Sequence, residues 1–262
     1  MEEDLFVVKI GGNIVDDEAK LDSFLREFAS LRVNRILAHG GGKLATRMAD
    51  KLGIPQQLVE GRRITDAETL KIATMVYAGY INKNIVARLQ ANHCNAIGIC
   101  GADANLIEAH RRKHPVIDYG YVGDVDRVNT SLLVYLLQQS VTVVLAPLTH
   151  DKKGQLLNTN ADTIAQEIAK AMSGAYRVSL LYTFEKNGVL SDANDENSLI
   201  PFINPVSYKK LKENKTIFAG MIPKLDNAFE ALNAGVKKVI IGNSENLRQL
   251  VCGDSGTTIS NS

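Results

Sequence analysis

The 262-residue sequence predicts an α/β fold built on a mostly parallel sheet, and three observations carry that reading. Short apolar, β-rich runs alternate with helix-length stretches, the rhythm of βα units. Glycine turns close the first two of those runs, Gly11-Gly12 after 5–10 and Gly40-Gly41-Gly42 after 35–39. The chain is 45% hydrophobic and 23% charged, which excludes disorder and is enough to fill one large α/β domain or two lobes.

The run Leu5-Phe6-Val7-Val8 predicts a strand over 5–10, followed by a helix over 17–31, a strand over 35–39 and a helix over 43–52. Thr65 or Asp66 caps a long helix over 66–91. Between 96 and 129 the runs 96–100, 106–110 and 119–128 are punctuated by Gly101, Pro115 and Gly123, which predicts hairpins inserted at a sheet edge. The alternation resumes with a helix over 130–139, a strand over 141–148, a turn at 151–154, a helix over 160–172 and a strand over 176–182. A polar stretch at 192–198 precedes helices over 205–213 and 222–234, the second with Pro223 in its first turn, then strands over 237–241 and 257–259. No repeat, low-complexity tract or long linker divides the chain, so one continuous sheet with two lobes is expected, about 1–174 and 175–262.

Thirty Lys and Arg nearly cancel 29 Asp and Glu with no basic block, so neither a nucleic-acid groove nor an anionic membrane surface is expected. Cys94, Cys100 and Cys252 form an odd set without paired spacing, as reduced thiols do in a cytoplasmic protein. The start Met1-Glu2-Glu3-Asp4 lacks the basic and apolar segments of a signal peptide. No run reaches the roughly 20 apolar residues of a membrane span.

Parallel α/β sheets bind ligands beyond the carboxyl ends of their strands. Lys9, delivered by the first strand into Gly11-Gly12, sets an ammonium beside approachable N–H groups, a pattern that suits phosphate. Three glycines at a helix start let further N–H groups converge on an anion, and His39 before them can either buttress that turn or act. Lys43 invites a P-loop reading, but Leu37 stands where the first glycine belongs and Leu44 where the serine or threonine belongs. No G-x-G-x-x-G follows the first strand, which argues against a dinucleotide site. Arg62-Arg63 can hold a carboxylate. In Asn158-Thr159-Asn160-Ala161-Asp162 capping accounts for one polar side chain, not three. Lys224 follows Pro223 in the first turn of its helix, while His93, His110, His114 and His150 lack metal-ligand spacing, so no metal site is expected.

Taken together, KIGGN from Lys9, HGGG from His39, GRRITD from Gly61, YGYVGDVDRVN from Tyr119, NTNAD from Asn158 and AGMIPK from Ala219 resemble the amino-acid kinase family. Within it they are similar to the branch acting on N-acylated glutamate. The match runs in order from about residue 5 to Gly256-Thr257-Thr258-Ile259. The resemblance implies an open αβα sandwich whose N-terminal lobe binds the acylated amino acid and whose C-terminal lobe binds ATP. It implies phosphorylation of the γ-carboxylate of N-acetyl-L-glutamate, or of N-succinyl-L-glutamate, in arginine biosynthesis. By the same resemblance Lys9, Lys224 and Asp162 are catalytic, and Gly41, Gly42, Arg63, Asn158 and Asn160 bind the acylated amino acid. Gly11, Gly12, Thr183, Gly188, Thr216, Ile217 and Phe218 bind ATP, with Mg2+ carried by the nucleotide. A carboxylate with an ordinary pKa of about 4.3 is already ionised at neutral pH, so a general base is not needed.

Two departures from the family pattern stand out. Tyr182-Thr183-Phe184-Glu185-Lys186-Asn187 replaces the usual threonine-aspartate-valine before Gly188-Val189-Leu190, and Gly101-Ala102-Asp103-Ala104-Asn105 replaces a glycine- and lysine-rich turn. The first bears on nucleotide contacts and the second on the acyl group. About eight residues precede Lys9, without the N-terminal helix of the hexameric, arginine-inhibited branch, so a homodimer without arginine feedback is expected. The competing readings are a kinase for another carboxylate or carbamate, and a non-catalytic sensor of an amino acid or nucleotide.

Overall fold

The computed structural model describes residues 3–59, 62–192, 195–214, 216–217 and 221–261. Strand β1 (Asp4–Ile10) lies at the middle of a sheet and alternates sides along its length. Leu5 and Val7 enter one apolar layer, Phe6, Val8 and Ile10 the other. After it come the single turn α1 (Gly12–Val15), α2 (Glu18–Ser30), capped by Asp17, β2 (Asn34–His39) and α3 (Gly42–Lys51). A short antiparallel ribbon, β3 (Leu58–Val59) with β4 (Arg62–Arg63), leads to α4 (Ala67–Thr74), whose cap is Asp66.

The long helix expected over 66–91 is continuous, but its middle is wound as a π-helical stretch, Met75–Ile81, before α5 (Asn82–Ala91). That widened turn packs under the glycine run, as shown below. Strand β5 (Ala96–Cys100) corrects the hairpin expectation. It pairs in parallel with β8 (Thr142–Ala146) and forms an edge of the main sheet. A hairpin does form from β6 (Ile107–Arg111) and β7 (Gly123–Val128), within a second sheet that also holds β9 (Leu148–His150) and β10 (Leu156–Asn158). The single strand expected over 141–148 is divided at Pro147, which lacks the N–H needed to continue a ladder, so β8 and β9 serve different sheets.

Helix α6 (Thr130–Gln138) precedes β8, and α7 (Ala161–Met172) leads to β11 (Arg177–Phe184), the other neighbour of β1. Beyond it lie β12 (Phe202–Ile203), α8 (Pro205–Glu213), α9 (Ile222–Asn233), β13 (Lys238–Asn243), α10 (Leu247–Cys252) and β14 (Thr257–Ile259). The main sheet runs β12-β14-β13-β11-β1-β2-β8-β5 and is parallel except where β13 meets β14. Helices α6, α7 and α9 cover one face; α2, α3, the long helix and α10 cover the other. This is the expected αβα sandwich. Among the described residues no helix is long and apolar enough to cross a membrane.

Candidate active site

Because β1, β2, β8 and β11 are parallel, their carboxyl ends deliver their following turns to one edge of the sheet. Lys9 shares the parity of Leu5 and Val7, so its side chain emerges on the face covered by α7. There its Nζ meets Asp162 Oδ1 at 2.7 Å. Asp162 lies in the first turn of α7, where the helix dipole favours a carboxylate. Asn160 is the cap: its Oδ1 accepts from the N–H groups of Asp162 (2.7 Å) and Thr163 (3.3 Å), which leaves its side-chain amide as a donor. Lys224, in the first turn of α9, places its ammonium 4.8 Å from the centre of the Phe184 ring. Burial pushes Lys224 below the ordinary lysine range; Asp162 opposes that shift and the Lys9 charge adds to it. Lys9, Asp162, Thr183, Phe184 and Lys224 line one small cavity.

A larger cavity of about 210 Å³ opens beside it, with Lys9, Gly12, Gly40, Gly41, Gly42, Arg62, Arg63, Asn158, Asn160 and Asp162 in its wall. Arg63 is 7% exposed and heavily engaged. One Nη2 donates to the Gly42 carbonyl at 2.9 Å and to Thr46 Oγ1 at 2.8 Å, while Nη1 donates to Gln56 Oε1. The Tyr77 hydroxyl is a further partner of this guanidinium, so little of its donor capacity is left to a ligand. Asn158 Nδ2 donates to Thr65 Oγ1 at 3.1 Å, and that hydroxyl donates to the Arg63 carbonyl at 2.9 Å, tying two walls together. Arg62 has no hydrogen-bond or ion-pair partner among the described residues, and burial lowers its pKa.

The glycine run is held from beneath. At Gly41 φ is +147°, and a Cβ there would lie 2.2 Å from Ile81 Cδ1 of the π-helical stretch, so only glycine fits. His39 is fully buried, with Nδ1 2.9 Å from the Gly40 carbonyl. A carbonyl only accepts, so Nδ1 carries the proton and Nε2 accepts from Asn82 Nδ2 at 3.3 Å. Asn82 Nδ2 also donates to the Val144 carbonyl at 3.1 Å. Gly98 leaves room for Asn82, since a Cβ there would lie 2.0 Å from Asn82 Oδ1. Burial drives the His39 pKa down to about 4 against the opposing pull of the Gly40 carbonyl, so the ring is neutral and serves as a buttress.

Lys9, Lys224, Asp162, Gly12, Gly41, Gly42, Arg63, Asn158 and Asn160 therefore gather at connected cavities, as the motifs anticipate. Gly11 flanks them, and Thr183 Oγ1 donates to the Lys9 carbonyl at 2.9 Å, stitching β11 to β1. Gly188 instead packs against Leu199 and Thr257, Ile217 sits in the core, and Thr216 is partly buried beside it. Phe218 lies outside the described residues. Sequence reasoning passed over Asn82 and Gln56 and offered Thr65 only as a helix cap, a place that Asp66 takes; the partners of Asn82 and Thr65 are distant in the chain, and only the widened helix shows why Asn82 reaches His39.

An ion-paired lysine, a second lysine facing it and two glycine turns at the carboxyl edge of a parallel sheet define a small-molecule phosphotransferase of the α/β class. The chain belongs to the amino acid kinase family, whose model matches residues 4–243. It is 57% identical over 250 residues to an acetylglutamate kinase of Cytophaga hutchinsonii, covering 94% of each chain. It is 52% identical over 259 residues to an acetylglutamate kinase of Bacteroides fragilis, covering 99% of this chain and 98% of the relative. In fold it resembles the N-acetylglutamate synthase of Neisseria gonorrhoeae solved with coenzyme A and N-acetyl-glutamate, with TM-score 0.83 and 21% identity over 99% of this chain and 60% of that one. Carbamate kinase from Giardia lamblia bound to AMP-PNP gives TM-score 0.71 at 14% identity, covering 100% of this chain and 99% of that one.

Proposed function

We propose that the protein catalyses ATP-dependent phosphorylation of the γ-carboxylate of N-acetyl-L-glutamate, a step of arginine biosynthesis. The observation that carries this reading is the Lys9–Asp162 pair at the junction of the Lys224 cavity and the arginine-lined one. High identity to acetylglutamate kinases over nearly the whole chain supports the same reaction.

The chemistry follows from charge. The attacking carboxylate is already ionised, so the barrier lies in bringing two anions together and in charge spread over the transferring phosphoryl oxygens. Lys9 and Lys224 flank that group, and Asp162 orients Lys9 through the 2.7 Å contact. The opening turns of α1 and α3 leave unpaired N–H groups at Gly11, Gly12, Gly41 and Gly42, which serve as donors. Arg63 and Asn158, with the amide of Asn160, hold the α-carboxylate and the acylamino group. The acylated amino acid occupies the lobe of about 1–174 and ATP that of about 175–262, with Thr183 at their boundary. We assign Mg2+ to the nucleotide phosphates, with no ligand from the protein.

One observation favours a second acyl group. Arg62 brings to the cavity wall a half-buried cation with no hydrogen-bond or ion-pair partner among the described residues; Asp124 and Asp162 favour its charge only from a distance, so an anion in contact with it would offset the cost of burial. An N-succinyl group carries such a carboxylate, and an N-acetyl group does not. We further assign a cytoplasmic homodimer. Its contact face is the outer edge of β5 with Ile97, beside exposed Met75 and Tyr80; a solution mass equal to one chain refutes this. A coupled ADP-release assay across N-acetylglutamate, N-succinylglutamate, glutamate, aspartate and carbamate tests the activity. Turnover is expected with an N-acylglutamate. Absence of turnover with all of them refutes the kinase reading in favour of a sensor, and preference for carbamate refutes the substrate.

A further inference from the structure

Lys43 directly follows the glycine run, and neither the Lys9–Asp162 pair nor the arginine-lined cavity accounts for it. As the second residue of α3 it stands at the helix end that faces both glycine turns. Its Nζ donates to Asn13 Oδ1, and Asn13 Nδ2 donates to Glu185 Oε1, so side chains from α3, α1 and the segment after β11 form one chain across the mouth of the cleft. Asn243 Nδ2 donates to the Glu185 carbonyl at 3.3 Å and fixes the far end. Lys43, Asn13 and Glu185 line a cavity of about 460 Å³ with Gly11, Gly12 and Gly42. Gly12 and Gly42 also line the substrate cavity, so the two are continuous. Arg63 and Phe184 line the cavity of Lys43 while Asn158 and Asn160 do not, so this ammonium stands between the arginine wall and the Phe184 side of the cleft.

Charge balance gives the residue a task. Lys9 is already neutralised by Asp162, which leaves Lys224 as the surplus cation for a polyphosphate approaching a carboxylate. The ammonium of Lys43 is held by a neutral amide oxygen and has no ion-pair contact among the described residues; Asp16, which pairs with Arg47, feels its charge from a distance. We propose that Lys43 is a third ammonium group of the phosphoryl-transfer centre, which binds a non-bridging oxygen of the β- or γ-phosphate of ATP and is held at the cleft mouth by Asn13 and Glu185. This rests on the kinase reading above. It assigns a role to the segment at Glu185, where the chain departs from the family pattern.

The test compares Lys43→Met and Lys43→Arg with the wild-type chain. For Lys43→Met the KM for ATP rises about 10- to 100-fold, the scale of losing one charge-assisted hydrogen bond, while the KM for the acylglutamate is unchanged. Lys43→Arg restores most of the ATP affinity. Binding of AMP-PNP, followed by calorimetry, falls by the same factor and needs no turnover, so the result stands apart from the identity of the acceptor. A folded Lys43→Met with wild-type AMP-PNP affinity overturns the proposal, as does an effect confined to the acylglutamate. Absence of ADP release by the wild-type chain on every acceptor refutes the kinase reading instead.

Discussion

Replacing His39 by Gln removes a titrating group from beneath the glycine run and leaves an amide that can donate to the Gly40 carbonyl. The folded protein holds His39 neutral, with its pKa pushed from 6.5 down to about 4 by complete burial. The unfolded chain therefore binds more protons between those two values. Stability from this group is fully present above pH 6.5 and is lost as pH falls towards about 4. At about 1.4 kcal/mol per pH unit, the gap amounts to roughly 3 kcal/mol of stability. Because the ring is fully buried, solvent screening takes little from that figure. Urea unfolding of wild type and His39→Gln across this window is the assay. At neutral pH the variant is less stable, because the ring fits its cavity and the amide does not. On acidification the difference narrows by roughly 3 kcal/mol as the wild type alone loses this contribution. A difference constant with pH refutes the assignment of a neutral, acid-sensitive buttress. So would an NMR signal showing the ring protonated at pH 6.

Two predictions concern the chemistry itself. Lys224→Ala lowers turnover by at least ~10²-fold, the scale of losing one electrostatic stabiliser, and a near-normal rate removes Lys224 from the mechanism. Because burial holds this lysine below the ordinary range and its ammonium is the active form, kcat/KM falls on the alkaline side before an unperturbed lysine would titrate; Lys224→Arg moves that limb upward. Arg63→Ala raises the KM for the acylglutamate by about 10- to 100-fold with little change for ATP. It also costs about 1–3 kcal/mol of stability, because Gly42, Thr46 and Gln56 lose their donor. If ATP binding collapses instead, the assignment of substrates to lobes is wrong.

The strand that carries Lys9, the glycine turns after β1 and β2, and the helix starts at Asp162 and Lys224 were legible because each depends on local pattern: apolar parity along a strand, glycine where N–H groups must be exposed, a polar cap or proline where a helix begins. The run 96–100 was misplaced. An apolar run bounded by glycine looks the same in a hairpin and at the edge of a parallel sheet, and its partner β8 lies far along the chain. The break at Pro147 was missed for a related reason: a proline ends a ladder but does not say that the next residues join another sheet.

The sequence by itself determined which residues could handle phosphate and a carboxylate, since side-chain charge and glycine's freedom belong to the residues wherever they are placed. Only the tertiary structure decided what each of them faces. It pairs Lys9 with Asp162 and sets Lys224 against Phe184. It turns His39 inward to Asn82 and commits most of Arg63 to Gly42, Thr46 and Gln56, while Arg62 has no hydrogen-bond or ion-pair partner among the described residues. Burial depends on neighbours that the linear chain keeps apart, and burial is what separates a lysine with a lowered pKa and a neutral histidine from ordinary ones.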